Sequence, residues 1–186
     1  MTDTIRTGLA PGQDQAAPAG GRSSRSAGVR LAQLACGIGL LFAAVSIYWA
    51  LGGMWLVDTL HRSFQEGART REPGLVLVVW AAAVLKVVAA VLPLVALHRL
   101  TWAGWNRLVW VLSWLAATIL TFYGVVTTAA GLLVLWGVIG LSAGADHRTL
   151  TWYAYLWDPW FLVWGLLAAA ALLRGRHGLR QAADDD

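Results

Sequence analysis

Apolar residues along this chain come in long blocks, without the short alternation of a strand or the one-sided recurrence of a soluble amphipathic helix. From Leu31 to Leu51 only Gln33, Ser46 and Tyr48 interrupt the first block. The second, Leu75 to Leu97, carries a single charge, Lys86, at its midpoint. At 1.5 Å per residue it would reach roughly 35 Å, enough to cross a hydrocarbon core of about 30 Å with modest tilt. Pro93 lies near its end, and a helix through that proline leaves the Ala89 carbonyl without its usual partner.

The third block, Leu108 to Leu141, is too long for one straight span and has no polar break that would let it turn back. We place a crossing at about 106–128, a bend near Gly124 or Gly131, and an extension to 141 toward the outer interface. The fourth runs over about 159–173, where Asp158 suits an N-cap and Pro159 the first helical position. With a first span at about 29–51, the pattern predicts an all-α polytopic membrane protein: four transmembrane helices, over 28–174. Residues 1–27 are rich in Gly, Pro, Ser and Gln, cannot bury enough surface to offset ordering entropy, and are expected to be a disordered cytoplasmic tail. Residues 175–186 form a second cytoplasmic tail.

Composition agrees with a bilayer as solvent. Of 186 residues 58% are hydrophobic and 13% charged, a balance that a soluble domain would struggle to keep in solution. The net charge of +4 does not point to nucleic acid, because the arginines sit in short flanks of apolar runs, not along one face. Those flanks speak to topology. Arg6, Arg22, Arg25, Arg30, Arg99, Arg107, Arg174, Arg176 and Arg180 fall on one side, and Arg62, Arg69, Arg71 and Arg148 on the other. Nine against four places both termini in the cytoplasm by the positive-inside rule, in a bacterial cytoplasmic membrane.

The lone cysteine, Cys36, permits no internal disulfide. Leu34-Ala35-Cys36-Gly37 bears a slight likeness to a lipid-attachment box, but the apolar run follows the cysteine instead of preceding it. No pair of histidines or cysteines has metal-ligand spacing on a span, and no nucleophile elbow or phosphate loop occurs, so no cofactor or metal is expected.

Chemistry therefore rests on a few polar side chains. Asp58, Glu66, Glu72, Asp146 and Asp158 all fall on the outer side, together with Tyr48, Trp49, Trp55, Trp152, Tyr153, Tyr155, Trp157 and Trp160. These rings are either an aromatic belt at the headgroup level or the lining of a binding crevice. Lys86 is costly near the midplane, by about 2.5 to 3.5 kcal/mol on insertion scales, so a neighbour must compensate it. Candidates are backbone carbonyls, Tyr123, Thr118, Thr121 or Ser46, or a water-filled cleft that admits Asp58, Glu66 or Asp158.

Tyr48-Trp49-Ala50-Leu51-Gly52-Gly53, Tyr123-Gly124, Trp157-Asp158-Pro159-Trp160-Phe161 and Trp164-Gly165 together resemble an uncharacterised family of small actinobacterial multi-pass membrane proteins, over about residues 30–174. That resemblance implies fold and location; it supplies no activity. The expected function is non-catalytic: binding of a lipid or small amphiphile, or of a membrane-protein partner or second copy, through an outward mouth. Its candidate residues are Lys86, Asp58, Glu66, Asp158, Trp49, Trp157, Trp160, Tyr48 and Tyr123. The alternative is a small transporter or channel component that uses Lys86 and an outer carboxylate as a polar relay. An intramembrane enzyme with Lys86 as base lacks a second catalytic group at that depth.

Overall fold

The computed structural model describes residues 19–98, 103–140 and 146–184, and these fold as an all-α bundle. Helix α1 spans Ala19–Ala50, a short 3-10 turn Val57–Thr59 follows, and α2 covers Arg62–Thr70. Helix α3 is Pro73–Leu97 and α4 is Ala103–Leu135. The last helical stretch runs through α5 (His147–Trp152), a π-turn (Tyr153–Trp157) and α6 (Asp158–Asp184). Four segments are long and apolar enough to cross a membrane: Ser26–Ala50, Pro73–Leu97, Gly104–Leu135 and His147–Arg176. The chain is an integral membrane protein with four spans.

The four blocks are all present, but their limits differ from the expected ones. Helix α1 begins within the stretch expected to be tail; residues 1–18 of that stretch lie outside the described residues. Extending a helix from an apolar nucleus is far less costly than starting one, so polar sequence can continue the coil. In α4 the α-helical pattern passes both Gly124 and Gly131 without interruption, so 33 residues form one unbroken helix, about 50 Å along its axis. It ends where Gly137, at φ +74°, closes a Schellman motif: the Val138 amide donates to Leu133 O at 2.9 Å and the Gly137 amide to Val134 O at 3.0 Å. The remainder of the expected extension, from residue 141, lies outside the described residues.

The fourth span differs most. Asp158 is not a cap, because helix already surrounds it (φ −74°, ψ −45°). The cap is Asp146, whose carboxylate accepts from the Arg148 amide (3.3 Å), the Thr149 amide (3.4 Å) and the Thr149 hydroxyl (3.1 Å). Pro159 is accommodated by the preceding π-turn. Its ring and missing N–H conflict with the carbonyl four residues back, and a locally widened turn, closed by the Asp158 amide on Tyr153 O, relieves that conflict.

In the bundle α1 lies between α3 and α6, and α6 continues against α4; among neighbouring pairs of this ring, α3 and α4 touch least. Small residues let the backbones approach. Ala35, Cys36, Ala90, Ala117 and Ala168 pack around Trp164 and Leu172, both fully buried. A methyl group on Gly39 would overlap the Trp164 ring, and one on Gly124 or Gly165 would meet the backbone of the facing helix at Leu162 or Thr121. Leu77, Leu85, Leu115 and Phe122 point outward, as hydrocarbon-facing side chains should. Gly28 near the start of α1 lies against Gly175 of α6, and Leu97 packs there too, so this end of the bundle is opposite the end covered by α2.

Candidate functional site

Toward the α2 end, the tightly packed alanine and Trp164 layer gives way to rings that do not fill the space between the helices. A cavity of about 170 Å³ remains. That is close to the roughly 150 Å³ of an engineered apolar cavity that holds benzene, but here polar groups line the wall.

All four spans supply part of it. Along α1, Phe42, Val45, Ser46 and Trp49 follow at spacings of three and four, which sets them on one face. From α3 comes Lys86, from α4 Tyr123, and from the π-turn and α6 Tyr153, Trp157, Asp158 and Phe161. Leu60 and Phe64 close the top. This cover is tied down in several places. The Trp157 indole donates to the Thr59 hydroxyl at 3.2 Å, and Gln65 Nε2 donates to Leu60 O at 2.8 Å. Trp49 meets Phe64 edge to face, with ring centroids 5.7 Å apart, and its indole donates to Trp55 O at 2.8 Å. Arg71, itself at φ +54°, reaches back to donate to Ala50 O at 3.2 Å and so caps the end of α1.

The ammonium of Lys86 donates to Ser46 Oγ at 2.7 Å, while Ser46 passes its own hydroxyl proton to Phe42 O at 3.3 Å. Nζ also lies 5.4 Å from the centre of the Phe42 ring, within cation–π range. An ammonium has three N–H bonds, so this arrangement leaves donors turned to the cavity. Asp158 is 5% exposed, and its Oδ1 has no hydrogen-bond partner. The Thr127 hydroxyl lies within hydrogen-bond reach of this carboxylate and also of Tyr123 O, 2.8 Å away, with a single proton to share between them. Among the described residues no direct ion pair joins Lys86 to Asp158; the one ion pair there is Arg148–Asp58, 3.5 Å apart and largely in solvent. The cavity thus holds a cationic and an anionic group, each with unused hydrogen-bonding capacity.

Of the residues expected to form a site, Lys86, Asp158, Trp49, Trp157 and Tyr123 line this cavity. The rest do not. Asp58 is held by Arg148 at the surface, and Glu66 faces outward from α2. Tyr48 is exposed and borders a separate shallow groove with Trp55. Trp160 stacks on Phe42 with ring centres 5.6 Å apart and is not part of the lining. Ser46 was one of several partners open to Lys86, and it is the one used. Sequence reasoning missed Phe42, Phe64 and Phe161 as lining residues. The 42, 46, 49 spacing on α1 and the Asp158–Phe161 interval on α6 carried a signal for two of them, each placing the ring on the face of a polar residue.

Residues 39–168 match the model of a family described as "Protein of unknown function (DUF3995)". No curated protein and no solved structure matches the chain.

Proposed function

The chain belongs to the DUF3995 family, and we propose that it is a non-catalytic membrane protein that holds the polar end of a lipid or small amphiphile in the cavity between Lys86 and Asp158. One observation carries this reading: a buried carboxylate and a half-buried ammonium line the same space, neither is neutralised by the other, and aromatic rings make up much of the wall. Leaving two charges unpaired in a low-dielectric interior is costly, and a bound molecule with matching polar groups offsets that cost.

Access supports an amphiphile. Tyr123, at the edge of the cavity, is 47% exposed on the outer surface of α4. The loosely packed α3–α4 pair gives a route from the hydrocarbon side by which a molecule could keep its apolar end among lipids. Below the cavity the Trp164 layer is closely packed, which favours a binding pocket over the relay of a transporter or channel.

We place the protein in a bacterial cytoplasmic membrane with both termini inside, so that the α2 cover faces outward. Native mass spectrometry of the protein released from its own membrane tests the binding reading. A co-purified species of defined mass is expected with the wild type and should be lost from Trp157→Ala and Asp158→Asn proteins that still elute as folded. Wild-type protein that flies without any bound species would overturn it.

A further inference from the structure

We propose that the cavity selects a zwitterion, a molecule carrying an ammonium and a phosphate or carboxylate close together, with its anion on Lys86 and its cation on Asp158. This deepens the amphiphile reading above and rests on it.

Charge balance governs what this partly enclosed cavity can hold. Lys86 and Asp158 have opposite signs, so the charges that line the cavity nearly cancel. A ligand with a single charge would satisfy one of them and leave the other, together with a net charge, in the low-dielectric interior. An uncharged ligand would satisfy neither fully. A zwitterion neutralises both, and the site stays neutral after binding. Hydrogen-bond capacity agrees in detail. The ammonium of Lys86, anchored once on Ser46, retains donors for an anion. The Oδ1 atom of Asp158 retains its full acceptor capacity for a cation.

The rings are arranged to match. Trp157 is next to Asp158 in sequence and lies 5.4 Å from Trp49, ring centre to ring centre, at an interplanar angle of 58°. Both indoles line the cavity that Asp158 also lines, and an indole face there can hold a substituted ammonium by cation–π attraction in addition to charge. Phe42 sits instead below Lys86, where it supports the protein's own cation. The aromatic groups thus divide between the two charges. The chemistry required is shared by zwitterionic phospholipid headgroups and by free zwitterionic solutes such as a betaine, and chain length in the probe separates the two sources.

The test uses the full chain in a non-ionic maltoside micelle, with binding read by tryptophan fluorescence and confirmed by calorimetry. The probes are dihexanoyl phosphatidylcholine, glycerophosphocholine, glycine betaine, choline, inorganic phosphate and dihexanoyl phosphatidylglycerol. At least one zwitterion should bind the wild type about tenfold or more tightly than choline, phosphate or phosphatidylglycerol, a selectivity of the size that a buried charge partner supplies. Tight binding of the dihexanoyl lipid alone identifies a lipid headgroup; equal binding of glycerophosphocholine or betaine identifies a solute. Lys86→Met and Asp158→Asn should each remove the preference for the zwitterion. Because either substitution can impair folding, the wild-type selectivity series stands as the decisive measurement. Preference for phosphatidylglycerol or choline, or equal binding of all probes, would overturn the zwitterion assignment and leave the amphiphile reading intact. Binding of no probe, with folded protein and no co-purified species in the mass spectrum, would remove both.

Discussion

Asp146 and Asp158 show how alike two aspartates can look in sequence and how differently a fold can use them. Asp146 caps α5 from the surface. The hydrogen bond from the Thr149 hydroxyl, with the amides of Arg148 and Thr149, holds its carboxyl below the usual carboxylate value. The unfolded chain therefore takes up this proton at higher pH than the folded one. The stabilisation from Asp146 is fully present above the ordinary value of 3.8 and is lost as pH falls through the lower, folded value. Asn caps a helix about as well as Asp but does not titrate. Wild type and Asp146→Asn should then differ most in thermal unfolding near neutral pH and converge in acid, below about pH 4; a gap that stays constant with pH would count against this role. Asp158 was the more conspicuous aspartate, since Asp-Pro is a common way to start a helix. What sequence did not display was helix already in progress ahead of it, nucleated at the less prominent Asp146 and carried through a π-turn. Once helix precedes it, the Asp158 carboxylate has no exposed amides to cap and turns inward to the cavity.

At the scale of the element, the existence of four spans was legible because a membrane crossing declares itself by length and apolar content alone. Internal limits were less so. In a soluble protein Gly124 and Gly131 would be weak points of a helix; within a bilayer no water competes for the backbone hydrogen bonds, and glycine serves close approach instead. The two uses can be separated by experiment. A methyl group at Gly165 would press on the Thr121 backbone, whereas one at Gly37 meets nothing within 4 Å. Gly165→Ala is expected to lower the melting temperature in detergent, with a cost of about 1 to 3 kcal/mol from overpacking. Gly37→Ala should be neutral or gain up to about 1 kcal/mol from helix propensity. If both variants melt with the wild type, α4 and α6 are not packed as closely as this structure has them. Lys86 belongs to this scale as well. Its place at mid-helix was plain from sequence, and Ser46 was among the groups able to receive it, but which face of α1 turns toward α3 is a property of packing that the apolar pattern of α1, interrupted on several sides, did not specify.

For the whole molecule, four crossings bring the start of α1 and the end of α6 to one end, where Gly28 meets Gly175. Arg30, Arg174 and Arg176 are all exposed there, while the opposite end carries the α2 cover, the Asp58–Arg148 pair and the cavity beneath them. A bilayer reads this difference through the insertion machinery, which retains Lys- and Arg-rich flanks in the cytoplasm and largely ignores acids. The segment between α1 and α3 weakens the contrast, since Arg62, Arg69 and Arg71 lie on the cavity side; yet Arg71 is partly engaged with the end of α1 after folding, and that engagement comes too late to influence insertion. The flanks that insert first and last carry the larger charge, so the cavity should open to the outer leaflet. A reporter enzyme that is active only outside the cytoplasmic membrane, fused after Glu66 or after Ala145, should be active, and the same reporter fused after Trp102 should be silent. Reversing that pattern with charge makes the stronger test: changing Arg22, Arg25 and Arg30 to Gln together should reduce activity at the Glu66 fusion and raise it at the Trp102 fusion. If the pattern is inverted from the start, the cavity faces the cytoplasmic leaflet, and any zwitterionic lipid it takes must come from that side.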